Sequence, residues 1–236
     1  MGKTGGGIGT NQYKIKGNAY IKDLRPVPPV SLLSQMNAKT RDLVPLSHNA
    51  QKVLHAIRSV GGEPLLVGGC VRDALMDNRT SKDIDIEVHG GTSIQNLIDS
   101  LSLVSRVDVV GQSFGVIKAT IGGETLDVSL PRRDNKVAAG HRGFEIVTDP
   151  NLTKEEASAR RDFTINSIMW NPLSQEIVDP WNGVQDIQEG ILRHTSAAFS
   201  EDPLRVLRGF QFASRFGYQM APETVELCKQ LSNHFS

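Results

Sequence analysis

Residues 65–88, LLVGGCVRDALMDNRTSKDIDIEV, set a strand, a glycine turn, a helix and a second strand in close succession. The apolar run Leu65-Leu66-Val67 meets Gly68-Gly69, and a helix-like segment over 69–77 carries Arg72 and Asp73. The alternating run Asp83-Ile84-Asp85-Ile86-Glu87-Val88 then reads as a strand over 83–88. Successive side chains of a strand point to opposite faces, so Asp83 and Asp85 share one face while Ile84 and Ile86 enter a core. Alone, a D-x-D pair is more often a solvated strand edge than a metal site. Here it stands beside a glycine pair opening a helix. Gly68 and Gly69 let backbone approach a phosphate, N–H groups at a helix start favour anions, and Arg72 adds a charged fork. The combination suits a metal-bound polyphosphate, and it points to phosphoryl or nucleotidyl transfer.

A third carboxylate joins the pair. Residues 115–121 and 124–130 form two β-patterned runs joined by Gly122-Gly123, a hairpin signal. Asp127 lies on the second run with Leu126 and Val128 facing the other way, so it can converge on Asp83 and Asp85. Mg²⁺ takes hard oxygen ligands and typically only one or two carboxylates from protein, which makes Asp83 and Asp85 the expected metal ligands. Two such ions, about 3.5–4 Å apart, bridge an attacking hydroxyl, an α-phosphate and a leaving pyrophosphate.

The bulk properties narrow the class without naming it. The 236 residues carry no net charge, so nothing in the overall balance advertises nucleic-acid binding. Two cysteines, Cys70 and Cys228, make no disulfide framework, and a reducing cytoplasm is the expected compartment. Cys70 reads as a small buried residue rather than a nucleophile. No apolar run reaches membrane-spanning length and no leader is evident, so no membrane partner is expected.

Residues 1–45 read as a flexible basic arm, with Gly5-Gly6-Gly7, a Pro26-Val27-Pro28-Pro29 stretch, and seven Lys/Arg against two Asp. Gly2-Lys3-Thr4 lacks the glycine and spacing of a P-loop, and Gly6 spoils a myristoylation signal. Residues 46–180 form the expected head domain. Ser47 caps a helix with Val53, Leu54, Ile57 and Val60 at helical spacing, stopped by Gly61-Gly62. A strand at 64–67 and a helix at 93–102 follow the same logic, and the polar stretch 132–158 reads as a functional loop. Residues 181–236 are expected to begin a helical neck, with helices over 202–216 and 222–232. Val206, Phe210 and Ala213 space like a core stripe, joined by Phe212 and Phe216. The fold class is α/β (α+β), a mixed sheet flanked by helices and followed by a helical segment.

Four ordered motifs resemble the class II tRNA nucleotidyltransferase and bacterial poly(A) polymerase family. Gly68-Gly69-x-Val71-Arg72-Asp73 with Asp83-x-Asp85 is similar to its first signature, and Arg160-Arg161-Asp162-Phe163-Thr164-Ile165-Asn166 to its second. Asp179-Pro180, Asn182-Gly183, Asp186-Ile187 and Leu192-Arg193-His194 resemble the segment leading to the neck. Glu201-Asp202-Pro203-Leu204-Arg205-Val206-Leu207-Arg208 resembles the base-selecting motif. The resemblance runs over about residues 64–220 and implies a catalytic head of the DNA polymerase beta type. It implies Mg²⁺-dependent addition of CMP and AMP to the tRNA 3′ end from CTP and ATP, with pyrophosphate released. Asp83, Asp85 and Asp127 are then the catalytic carboxylates. Gly68, Gly69, Arg72, Arg161, Asp162 and Asn166 hold triphosphate and ribose.

The base-selecting motif has a chemical rationale. With Asp202 and Arg205 at i, i+3 on one helix, a carboxylate acceptor lies beside a guanidinium donor. Cytosine and adenine each present an exocyclic amino donor beside a ring-nitrogen acceptor; uracil and guanine reverse that order. One Asp/Arg pair therefore accepts CTP and ATP and leaves the wrong bases with unpaired polar groups. Arg208, one turn on, reaches toward the phosphates. The loop with Arg132, Arg133, Lys136 and Gly140-His141-Arg142-Gly143 matches a mobile family loop that accompanies addition of the terminal A. The family also implies an RNA-gripping helical body, which the segment up to His234-Phe235-Ser236 does not contain, so the grip is expected from that body or from a second chain. A-only addition, poly(A) synthesis and a non-catalytic nucleotide-binding head remain alternatives.

Overall fold

The computed structural model describes residues 42–76, 83–110, 115–136 and 144–233, with side chains from 134 to 147 left out. The expected arm (save residues 42–45), the loop residues Gly140 to Gly143 and the C-terminal His234-Phe235-Ser236 lie outside the described residues.

Helix α1 (His48–Ser59) starts where expected, with Ser47 Oγ accepting from the Ala50 N–H at 3.0 Å. It buries Val53, Leu54 and Ile57 and ends before Gly61, whose φ of +80° suits a residue without Cβ. Strand β1 (Glu63–Val67), helix α2 (Gly69–Leu75) and strand β2 (Asp85–His89) follow. Next come α3 (Ile94–Ser102), β3 (Arg106–Val110), β4 (Val116–Ile121) and β5 (Glu124–Ser129). The Gly122-Gly123 turn has positive φ at both residues, +58° and +78°, as a two-residue hairpin turn requires.

These strands join the short β8 (Met169–Trp170) and β9 (Ile177–Val178) in one sheet of order β3-β4-β5-β2-β1-β8-β9. All pairs are antiparallel except β2 with β5. One face carries Leu66, Ile86, Val88, Ile117, Ala119, Leu126 and Val128 against α1 and α3, forming the main core. Each fully buried aliphatic side chain there contributes roughly 1.5–3 kcal/mol. The period of two puts Asp85, Glu87, His89, Lys118, Asp127 and Ser129 on the opposite face. The site therefore lies on the face that α1 and α3 leave uncovered.

Two sequence expectations need correction here. The strand starts at Asp85 rather than Asp83, so Asp83 sits in the approach to β2. The pairing still extends one step, since the Ile84 carbonyl accepts from the Asp127 N–H at 3.2 Å. The 132–158 stretch is also no simple loop. It holds the hairpin strands β6 (Arg132–Lys136) and β7 (Phe144–Thr148), then α4 (Lys154–Ala159), started by a Thr153/Glu156 capping box.

After α4 come a 3₁₀ turn (Thr164–Asn166), α5 (Gly183–Glu189), β10 (Ile191–Leu192) and a second 3₁₀ turn (Ala197–Glu201). Helix α6 (Leu204–Phe216), β11 (Gln219–Met220) and α7 (Pro222–Asn233) complete the described chain. A second core of Phe163, Ile165, Leu192, Phe199, Tyr218 and Cys228 joins these helices to the 3₁₀ turn. Phe163 meets Phe199 and Phe212 edge-on, with ring centroids 5.4 and 5.9 Å apart. Val206 and Ala213 pack on this core as their spacing suggests. Phe210 does not; it is 60% exposed.

Candidate active site

Two adjoining cavities open on the uncovered face of the sheet. One, of about 280 Å³, is lined by Gly68, Gly69, Arg72, Asp85, Arg160, Arg161, Asp162, Asn166, Arg205, Arg208 and Phe212. The other, of about 170 Å³, is lined by Val67, Asp85, Val116, Asp127, Ser129, Arg132, Arg160 and Arg161. They share Asp85, Arg160 and Arg161. Of the twelve residues singled out in the sequence, nine line the first cavity and Asp127 the second; Asp83 and Asp202 line neither.

The carboxylates meet through strand register. Asp85 and Asp127 are partners across the parallel pair β2–β5. Enclosure by protein pushes the Asp85 carboxyl above the ordinary Asp range; the Asp127 and Asp83 charges add to the shift, while Arg161 and Lys118 oppose it. Lys118, the β4 partner of Asp127, donates from Nζ to Asp127 Oδ1 at 2.9 Å, and this pairing raises the lysine above its usual value.

A hydrogen-bonded chain runs along the wall of the first cavity. Arg208 Nη2 stands 2.7 Å from Asp162 Oδ2 as an ion pair, without hydrogen-bond alignment. Asp162 Oδ1 accepts from the Phe163 N–H at 2.8 Å and from Asn166 Nδ2 at 2.9 Å. Asn166 Oδ1 accepts from Arg72 Nη1 at 2.7 Å, and Arg72 Nε donates to Asp73 Oδ1 at 3.0 Å. Arg72 is thus a buried strut and not the free fork expected of it. Its guanidinium lies over the rings of Phe212 and Phe216, 5.3 and 5.0 Å from their centroids.

Gly68 has φ +75°, and a Cβ there would stand 3.7 Å from Arg161 Nη1 and 4.0 Å from Asp85 Oδ2. Arg161 Nη2 reaches 3.4 Å from Glu87 Oε2, and Glu87 Oε1 lies 2.7 Å from His89 Nε2. Burial alone would raise the Glu87 carboxyl, but His89 and the Arg161 charge hold it below the usual Glu value.

The Asp202/Arg205 geometry is corrected. Asp202 has extended backbone between the second 3₁₀ turn and α6, so the two residues do not share a helix face. Asp202 Oδ1 accepts from the Leu204 N–H at 3.0 Å, while Arg205 donates to the carbonyls of Ala198 (2.5 Å) and Arg160 (2.6 Å). Arg205 still lines the cavity.

Sequence reasoning missed Lys118, Glu87, Arg160 and Phe212. Three carried a signal. A two-residue turn at 122–123 sets Lys118 opposite Asp127, alternation places Glu87 beside Asp85, and Phe212 stands one turn from Arg208. Arg160 stands first in the motif 160–166, but no local pattern gave it a role. Cys70, as expected, is buried, and burial pushes its thiol up to about 11.

Comparison with known proteins finds both sequence relatives and solved structures. The chain is 45% identical over 166 residues to a multifunctional CCA protein of Nitrosomonas europaea, covering 70% of this chain and 38% of that protein. A multifunctional CCA protein of Xanthomonas campestris pv. campestris is 40% identical over 171 residues, covering 71% and 40%. The chain thus spans about two fifths of the length of these relatives. Among solved structures, a Bacillus stearothermophilus CCA-adding enzyme in complex with CTP superposes with TM-score 0.63 at 25% identity, covering 77% of this chain and 43% of that one. A tRNA nucleotidyltransferase complexed with a primer tRNA and an incoming ATP analog gives 0.62 at 28%, covering 77% and 50%. The family model described as the Poly A polymerase head domain matches residues 65–193, more than half of the chain and all of the carboxylate face. The chain belongs to that poly(A) polymerase head-domain family.

Proposed function

We propose that the protein is a template-independent RNA nucleotidyltransferase that adds CMP and AMP to the tRNA 3′ end, consuming CTP and ATP and releasing pyrophosphate. The observation that carries this reading is the register pair Asp85–Asp127 at the junction of two cavities, one walled by glycine and guanidinium groups. Such a junction suits a triphosphate on one side and an attacking hydroxyl on the other.

The carboxylates fit Mg²⁺ by their chemistry. They are oxygen-only donors, and the Asp85 carboxyl is raised first by burial and then by the charges of Asp127 and Asp83. Mg²⁺ takes only one or two carboxylates from protein and fills its other positions with waters and phosphate oxygens. Asp83 and Asp85 would hold it, and when bound it supplies charge neutralisation at the phosphates. Asp127, steadied by Lys118, receives or orients the primer hydroxyl. Gly68, Gly69, Arg161 and Arg208 hold the triphosphate, and Arg72 braces the cavity wall behind them through Asn166. Asp162 and Asn166 set the ribose side, and Asp202 with Arg205 reads the base. Base reading needs Arg205 to leave the two carbonyls it now holds and Asp202 to turn toward the cavity.

In this reading residues 46–180 are the head and 181–236 open the neck, although the second core already draws Phe163 and Ile165 from the head side. The RNA grip comes from a C-terminal body or a second chain. No helix among the described residues is long and apolar enough to cross a membrane, and a cytoplasmic setting follows from the tRNA substrate. Poly(A) synthesis is the second reading, favoured by the description of the matched family model.

The test incubates the protein with tRNA lacking its 3′ end, Mg²⁺ and each labelled nucleotide, singly and together. CTP followed by ATP incorporation, lost in Asp85→Ala, is expected. CTP binding without incorporation, even with a C-terminal body supplied in trans, would overturn the reading. Long A tails on any RNA would favour poly(A) synthesis.

A further inference from the structure

Glu87 stands in an unexpected place. It lies on the same face of β2 as Asp85, one alternation further from the cavities, and it is 2% exposed. Its charge sits beneath a site built to receive a polyphosphate, where negative charge works against the ligand. A carboxylate withdrawn from water is retained only when it is paired and hydrogen-bonded. Among the described residues His89 and Arg161 hydrogen-bond to Glu87, with the Arg160 charge also acting on it, and the two bonded partners differ in kind. His89, 3% exposed and next on the same face, donates from Nε2 to Oε1 at 2.7 Å. Arg161 approaches Oε2 with Nη2 at 3.4 Å, while Nη1 lies over the Gly68 turn. Arg161 lines both cavities.

We propose that Glu87 is a positioning residue for nucleotide binding: with His89 fixing its carboxylate, it holds one edge of the Arg161 guanidinium and so aims the other edge into the cavities. This rests on the nucleotide reading of the same site. An arginine side chain has several rotatable bonds, and a free one must be ordered when the anion arrives. Glu87 restricts Arg161 before binding, at the expense of part of its positive charge. His89 completes the device, because an untethered Glu87 could follow Arg161 toward the ligand instead of holding it back. A merely structural ion pair would have no such dependence on Arg161 for its effect on the nucleotide.

The experiment measures CTP affinity of the full chain in Mg²⁺, with KM and kcat for incorporation, in five proteins. These are wild type, Glu87→Gln, Arg161→Lys, the double variant of these two and His89→Leu, each with its melting temperature. Glu87→Gln is expected to weaken CTP about tenfold and to raise KM with kcat nearly unchanged, as for an outer partner that orients a binding group. In the Arg161→Lys background it should add little, since the fork it orients is gone. His89→Leu should weaken CTP in the same direction, and it stands in should Glu87→Gln fail to fold. Wild-type affinity in Glu87→Gln or, failing that, in His89→Leu overturns the proposal, as does an equal effect with and without Arg161. A wild-type chain that binds no CTP overturns the proposed function as well.

Discussion

Asp85 and Asp127 face one another across the parallel pair β2–β5, and neither the fold nor the sheet needs two carboxylates there. The position costs stability, because the Asp85 carboxyl lies above its ordinary value of 3.8 through enclosure by protein and the charge of Asp127. The folded chain therefore binds a proton that the unfolded chain releases between 3.8 and the raised value. Where the folded state holds more protons, stability falls as pH rises. The favourable contribution is present below 3.8 and is lost once pH passes the raised value. Asp85→Asn should remove this slope. In chelator-containing buffer at pH 7 it should melt at or above the wild-type temperature, while incorporation in Mg²⁺ falls at least ~100-fold. Thermal melts across the acid range, beside the tRNA assay, check both halves. A variant that melts lower than wild type at pH 7 would contradict the repulsion argument.

Phe212 links the two parts of the site. It places an aromatic face against Arg72 from the head and against Arg208 on its own helix, 5.3 and 5.8 Å from the ring centroid. Phe212→Leu keeps an apolar side chain but removes the ring. The expected loss is about 1 kcal/mol in urea denaturation, from the cation–π and edge-to-face contacts. Because Arg72 also holds Asn166, CTP binding should weaken severalfold. Phe210→Leu, on the exposed side of the same helix, should change neither measurement.

Much of this was legible from periodicity. Alternation in residues 83–88 placed Asp85 on the open face, and Gly122-Gly123 fixed the hairpin that presents Asp127. Ser47 announced its helix, and the cavity gathered residues from three motifs that lie far apart in sequence. What failed did so for physical reasons. Arg132 to Lys136 is a strand despite its polar composition, because backbone pairing with β7 needs no apolar face. Asp202 left the helix because Pro203 stands at its start, where a proline disfavours helical backbone in the residue before it. Arg72 read as a free fork because its partners, Asn166 and Phe212, come from distant segments that no local pattern connects to α2.

Gly183 offers the sharpest test of how α5 is tied to the site. A Cβ there would stand 2.1 Å from the Thr164 carbonyl oxygen and 2.7 Å from Ile168 Cγ1. The first is backbone and cannot swing aside, so α5 would have to move off the 3₁₀ turn that carries Asn166. The same contact is fastened on both sides: the Gly183 N–H donates to Asp179 Oδ1 at 2.8 Å, and Thr164 Oγ1 donates to Asp186 Oδ2 at 2.6 Å. Gly183→Ala should cost about 3 kcal/mol or more and weaken CTP binding with it. Gly123 supplies the control. A Cβ there meets nothing within 4 Å, and only its φ of +78° resists substitution. Gly123→Ala should cost roughly 1–2 kcal/mol, the strain of a left-handed backbone alone. Its CTP affinity should stay at the wild-type value. Gly183 itself has no left-handed backbone to strain, so a loss no larger than that of Gly123→Ala would mean that a small shift of α5 relieves the collision with Thr164.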